Sequence, residues 1–189
     1  MKQGRNQVRI IAGKWRGLKI DFPTANGLRP TPDRVRETLF NWLQPWLPGT
    51  RCLDLFAGSG ALGLEALSRG AQSMVLVEQD ASVVRSLINT VEHLNAESVD
   101  VVRNDGLRYL GQAHGPFDIV FLDPPFGQAL LGQCCQLIIQ NNIVKPGGFV
   151  YAEANKGESI PLSSPQWAPL RSKQAGQVGY HLIQRIDGQ

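Results

Sequence analysis

Four carboxylates in this chain stand at or just past the ends of short apolar runs. Asp54 follows Cys52-Leu53, Glu78 follows Met74-Val75-Leu76-Val77, Asp105 comes shortly after Val101-Val102, and Asp123 follows Ile119-Val120-Phe121-Leu122. Near-continuous apolar runs of this length predict buried parallel strands. In an open α/β sheet, ligands sit in the crevice outside the strand tips, which is where these acids fall. Asp54 precedes the turn Phe56-Ala57-Gly58-Ser59-Gly60, and Gly58, Gly60 and Gly63 fit a G-x-G-x-x-G spacing. Such a turn lets backbone approach a ligand closely, although a tight structural turn reads the same way. An anion beside a bound pyrophosphate is unfavourable, because like charges repel at short range. A ligand carrying an ammonium and a sulfonium is better matched, and S-adenosylmethionine carries both.

Glu78 lies 18 positions past Gly60, close to where an acid grips a ribose diol in nucleotide-binding βαβ units. A solvated carboxylate at a strand end is the alternative. Asp105 is placed to read an adenine amino group, or else to form an ordinary Asp-Gly turn with Gly106. Asp123 runs into Pro124-Pro125-Phe126. Two successive prolines fix φ and lack N–H donors, so they stiffen the corner while leaving its carbonyls free to accept. Asp123 and a carbonyl could take both N–H bonds of a planar amine, with Phe126 stacked on its ring. A merely structural turn is an awkward use of such residues.

The elements that must position these groups follow from periodicity. A hairpin is expected over Val8–Phe22, its two runs flanking Gly13-Lys14-Trp15-Arg16-Gly17, after a frayed stretch 1–8. Trp15, between two cations at the tip, either stacks on an unpaired base or packs back onto the domain. Thr31 and Pro32 read as N-cap and first residue of a helix reaching Leu43. Arg29, Arg34 and Arg36 cluster at its start, either to clamp an anion or as solvated surface. Further helices are expected from Gly63 to Arg69-Gly70, from Asp80 to His93 with Val84, Leu87, Ile88 and Val91 buried, and over 128–141. Lys145-Pro146-Gly147-Gly148 predicts a turn before a strand Phe149–Glu153. The prolines of 159–170 predict a loop, and 170–175 with 178–185 an antiparallel edge hairpin.

The chain has 189 residues, a formal charge of +3 and 42% hydrophobic residues, enough for one domain with a proper core. Charge is unevenly spread: residues 1–36 hold nine Lys/Arg against two acids, +7, and the remainder ten against fourteen, −4. A positive end on an otherwise acidic domain predicts a polyanion-binding face. Three cysteines (Cys52, Cys134, Cys135) and scattered histidines fit neither a disulfide framework nor a metal site. Without an apolar run long enough to span a membrane or a secretory h-region, a reduced cytoplasmic setting is expected.

Asp54–Gly60, Glu78, Asp105 and Asp123-Pro124-Pro125-Phe126, in this order, resemble the class I S-adenosylmethionine-dependent amino-methyltransferases. Arg9–Gly17 and Arg29–Leu43 further resemble the bacterial 16S ribosomal RNA guanine-N2 methyltransferase family of the RsmD type, and the likeness covers nearly the whole chain. Ala12 departs from the glycine expected there. The resemblance implies an α/β, Rossmann-like fold: a mostly parallel seven-stranded sheet with one antiparallel strand, helices on both faces, and an N-terminal hairpin and helix. It implies one methyltransferase domain, 1–189, with 1–45 a basic RNA-contacting extension and 46–189 the catalytic core. S-adenosylmethionine would be held by Asp54, Phe56, Ala57, Gly58, Ser59, Gly60, Glu78, Gln79, Asp105 and Gly106, without a metal. Catalysis would fall to Asp123, Pro124, Pro125 and Phe126, and RNA contact to Lys14, Trp15, Arg16, Arg29, Arg34 and Arg36. The implied partner is 16S rRNA in an assembling small subunit, met by a monomer. A DNA adenine or protein glutamine substrate on the same fold, and a NAD-dependent oxidoreductase or a nucleotide-binding module without catalysis, are the rival readings.

Overall fold

The computed structural model describes residues 6–24, 30–112, 115–125, 130–162 and 165–186. A two-stranded hairpin, β1 (Asn6–Arg9) and β2 (Lys19–Phe22), leads into α1 (Asp33–Leu43). There follow β3 (Arg51–Asp54), α2 (Ala61–Ser68), β4 (Ser73–Glu78), α3 (Ala81–His93), β5 (Val99–Arg103) and α4 (Gly106–Gly111). Then come β6 (Phe117–Leu122), α5 (Leu130–Gln140), β7 (Val144–Asn155), β8 (Trp167–Ala175) and β9 (Val178–Arg185). The large sheet runs β5-β4-β3-β6-β7-β9-β8, and β9 alone opposes its neighbours.

Alternation along the strands sorts the core into two layers. Cys52, Met74, Leu76, Ile119, Phe121 and Tyr151 face the hairpin, α1, α2 and α3. Leu53, Val75, Val77, Val120, Leu122 and Ala152 face α4 and α5. Parity also fixes the acids: Asp54, two residues after Cys52, and Asp123, two after Phe121, both belong to the α1/α2 layer. The chain leaves β3 toward β4 on one side, while β6 pairs with β3 on the other. The crevice at this reversal opens beside Asp54 and Asp123.

Several local expectations are corrected. Thr31 does not cap α1: the cap position is Pro32, with no side-chain bond, and the Thr31 hydroxyl is used elsewhere. Ile88 is exposed and Val83 takes its place in the buried stripe of α3. Lys145–Gly148 is no free turn but a bulge within β7, which steps from Val144 to Phe149 while β6 steps from Phe117 to Ile119. Strand β8 begins at Trp167, earlier than the prolines suggest, because Pro169 sits on an edge strand where a missing N–H does little harm. The six residues of α4 gave no periodic signal, and β1 already pairs from Asn6.

Candidate active site

Strand β3 ends in Asp54, 1% exposed, whose Oδ2 accepts the Gly63 N–H at 3.0 Å. That bond explains the third glycine of the motif. A Cβ on Gly63 would lie 2.3 Å from the Leu76 side chain, so α2 could not pack so near the strand. Burial pushes the Asp54 carboxyl up to about 7, against the opposing pull of the Gly63 and Phe56 amides, and Glu78 adds to the rise. Glu78 in turn holds the turn in shape: its Oε2 accepts from Gly58 N at 3.1 Å and its Oε1 from Asp80 N at 2.8 Å.

Asp54, Ala57, Gly58, Ser59, Ala61, Leu62, Pro30, Thr31 and Asp123 line one cleft, about 290 Å³ of empty space open to solvent. Phe56 lies at its flank, its ring against Gly106, where a Cβ would come within 3.0 Å. Gln79 is exposed beyond Glu78. Asp105 is also exposed and caps α4 by accepting from Arg108 N, so the turn reading holds for one of its oxygens and leaves the other accessible. A larger cavity, about 650 Å³ by the same measure, lies at the opposite end of the sheet around Pro116, Asn142 and Arg185. It contains no acid, and Arg185 there is already bonded to Val144 O and Asn142. The strand-end acids Asp54 and Asp123 line only the smaller of these two spaces.

Asp123 follows β6 directly and stands half-buried at the cleft. Desolvation first, then the neighbouring Glu153 and Asp54 charges, hold its carboxyl well above the usual range. Thr31, brought over the strand tips by the start of α1, donates its hydroxyl to Asp123 Oδ2 at 3.3 Å. Pro124 is buried and Pro125 exposed. Among the described residues no ion pair reaches Asp54, Asp123 or Glu153. No group of three or more His, Cys, Asp or Glu among them is placed to hold a metal. Phe126 and Arg29 lie outside the described residues.

The basic end divides in two. Lys14, Arg16 and Arg34 are exposed. Trp15 and Arg36 are not: Trp15 takes the packed-back alternative, and Arg36 is buried, not solvated surface. The hairpin tip folds onto α2 instead of projecting: Trp15 N donates to Ser68 Oγ, Lys14 N to Ser68 O, and the Trp15 ring is 8% exposed with the Lys14 ammonium 5.4 Å above it. Arg36 is fully buried between Asp33 (2.6 Å), Glu65 (3.5 Å) and the Arg9 carbonyl (2.7 Å). Its burial follows from Glu65, an acid inside α2 that the residue pattern did not single out. Thr31 and Glu153 were missed as well. Glu153 had one signal available, its place two residues past Tyr151 at a strand end beside β6.

The family model described as Conserved hypothetical protein 95 matches residues 8–184. Ribosomal RNA small subunit methyltransferase D of Escherichia coli K12 is 46% identical over 182 residues, covering 96% of this chain and 92% of its own. The solved structure of Escherichia coli yhhF superposes with a TM-score of 0.89 at 44% identity, over 96% of this chain and 99% of that one. SMU.776, solved with S-adenosylhomocysteine, shares the fold alone, at 17% identity with a TM-score of 0.70 over 97% of this chain and 57% of its own. The chain belongs to the family of those small-subunit ribosomal RNA methyltransferases, built on the class I S-adenosylmethionine-dependent methyltransferase fold.

Proposed function

We propose that this chain methylates the exocyclic N2 amine of a guanine in 16S ribosomal RNA, with S-adenosylmethionine as donor. The observation that carries this reading is a cleft at the sheet's switch point with Asp54 and Asp123 turned to it and, among the described residues, no cation paired with either. A sulfonium and an ammonium fit such a donor set, since an opposite charge favours ionised carboxylates that burial otherwise disfavours. When bound, the donor supplies an electrophilic methyl group. Asp54 and the Ala57–Gly60 backbone would hold its amino-acid end and Glu78 its ribose. Phe56, Gln79, Asp105 and Gly106 would border its adenine.

The guanine amine is a weak nucleophile because its lone pair is delocalised into the ring. Asp123 and the Pro124 carbonyl would accept its two N–H bonds, draw the nitrogen toward tetrahedral geometry and aim it at the methyl carbon. Positioning of that kind lowers a barrier by roughly 7–11 kcal/mol. The guanine must leave its stack to reach the cleft, and Phe126 would replace part of the lost stacking. Lys14, Arg16, Arg29 and Arg34 would meet phosphates, residues 1–45 acting as the RNA-contacting extension of a monomer that works in the cytoplasm on assembling small subunits.

The test is transfer of labelled methyl from S-adenosylmethionine to free rRNA and to small-subunit particles, with nuclease mapping of the product. Label in N2-methylguanine supports the reading; label confined to DNA adenine or to protein glutamine overturns it. A thermal shift by NAD and none by S-adenosylhomocysteine would overturn the cofactor as well.

A further inference from the structure

Behind Asp123 lies a buried acid that this mechanism leaves idle. Glu153 sits in β7, 6% exposed, and the parallel register pairing Leu122 with Ala152 brings Asp123 alongside it. Both share the α1/α2 layer with Tyr151, whose hydroxyl donates to Glu153 Oε1 at 2.7 Å. Thr31 covers the first of the two acids: its hydroxyl donates to Asp123 Oδ2 at 3.3 Å. Among the described residues the other titratable groups facing the pair are Asp54 on β3, Tyr151 on β7 and Tyr180 on β9, none of them a cation. Among the described residues no ion pair supplies them with a cation.

We infer that Glu153 is a positioning residue for the methyl transfer: standing beside Asp123 in the same layer, it shares one proton with that carboxyl and thereby makes Asp123 the proton acceptor for the amine. This rests on the function proposed above. Two like charges cannot both be buried cheaply, so the charge that Tyr151 stabilises on Glu153 makes Asp123 a stronger base than an isolated aspartate. In the transfer, the amine nitrogen forms its bond to the methyl carbon as the carbon–sulfur bond breaks, with that electron pair remaining on sulfur. The surplus proton on nitrogen passes to Asp123 and from there to water. A proton acceptor tuned toward neutral pH serves this step better than one near 4. Both carboxyls are accordingly raised, Asp123 well above the usual range.

The experiment is the pH profile of kcat/KM for the wild type, Glu153→Gln, Glu153→Asp and Tyr151→Phe, each first checked for S-adenosylhomocysteine binding. The acidic limb belongs to the pair, not to one residue. Removing the charge with Glu153→Gln should move that limb to lower pH by about one unit or more and lower the plateau several-fold. Tyr151→Phe leaves Glu153 readier to keep the proton and should move the limb the same way by less, while Glu153→Asp should restore the wild-type limb. A Glu153→Gln enzyme that binds S-adenosylhomocysteine normally but loses rate equally at every pH overturns the inference. Should that variant not fold, an unmoved limb in Tyr151→Phe does the same. An inactive wild type would instead count against the proposed function.

Discussion

Two carboxylates of the same βα unit, Glu65 and Asp54, are equally hidden from water and have opposite surroundings. Glu65, fully buried in α2, accepts from Ile11 N (2.7 Å) and Ala12 N (3.0 Å), and pairs with Arg36 Nη1 (3.5 Å) and Arg69 Nε (2.6 Å). Two cations and two backbone amides complete its coordination, and it rivets the N-terminal segment to α2. Asp54 receives backbone amides, Gly63 among them, and no cation among the described residues. A buried acid whose partners are all protein is architecture. One without a cation among its described partners suits the role proposed for Asp54, that of meeting a ligand's positive charge. The contrast also explains why the basic N-terminus splits into embedded and exposed cations: Glu65 draws Arg36 inward, and nothing comparable draws in Lys14, Arg16 or Arg34.

The largest effect should come from breaking the completed site. Glu65→Ala removes the fully buried acid shared by Arg36 and Arg69 and the acceptor of two backbone amides, and should cost about 3–5 kcal/mol in chemical denaturation. A loss under about 1 kcal/mol would mean that Glu65 is no rivet. The matching change on the other side, Asp54→Asn, should weaken S-adenosylmethionine binding by on the order of a hundredfold by calorimetry, about 2.7 kcal/mol, with a smaller change in stability than Glu65→Ala.

Titration sharpens the same contrast. Because the Asp54 carboxyl is raised to about 7 in the folded protein from an ordinary value of 3.8, the native state holds a proton there that the unfolded chain has lost. Stability of the ligand-free protein should therefore fall as pH rises from about 5 to 8, by roughly 2–3 kcal/mol from this group. In Asp54→Asn the slope over that window should be shallower; an identical slope would show that Asp54 titrates normally.

A smaller effect is expected where the rivet meets the backbone. Gly13 has φ +82° and a Cβ there would lie 1.7 Å from the Ser68 carbonyl oxygen. Gly13→Ala should lower the urea midpoint by the equivalent of about 1–3 kcal/mol and expose Trp15 to fluorescence quenchers. Smallest of all, single neutralisations of Lys14, Arg16 or Arg34 should leave stability within about 0.5 kcal/mol and reduce the salt dependence of RNA binding by about one unit of slope each. Arg36→Ala should do the reverse, destabilising the fold, and an equal drop in slope would return Arg36 to the binding surface.

Legibility in the sequence followed the range of the interactions. The strand-end acids could be read because an apolar parallel strand that stops in a carboxylate breaks a strong local pattern, and Asp54, Glu78 and Asp123 each stop one. The glycine turn and the antiparallel edge pair were equally local. What stayed hidden depends on distant partners. Arg36 looks like any surface arginine until Glu65, 29 positions away, is placed beside it. Thr31 reads as a helix cap because its partner Asp123 is 92 positions off. Trp15 between two cations signals a tip, but only the docked α2 reveals that the tip is folded inward. Ala12 fits where glycine was expected because its N–H and carbonyl are both engaged by α2 while the residue stays partly exposed.

The bulge in β7 lies at the end of the strand remote from the cleft, with Pro146 and Gly147 outermost and exposed. Beyond it the ladder is in step from Phe149 onward, so Glu153 takes its place by counting from Phe149 and not from the loop below. Extra length is already absorbed there, which makes the Pro146–Gly147 junction a graft point: an affinity tag or fluorophore-bearing peptide inserted at that link should leave the acids in register, whereas a single residue added between Phe149 and Glu153 would swing the glutamate to the opposite layer.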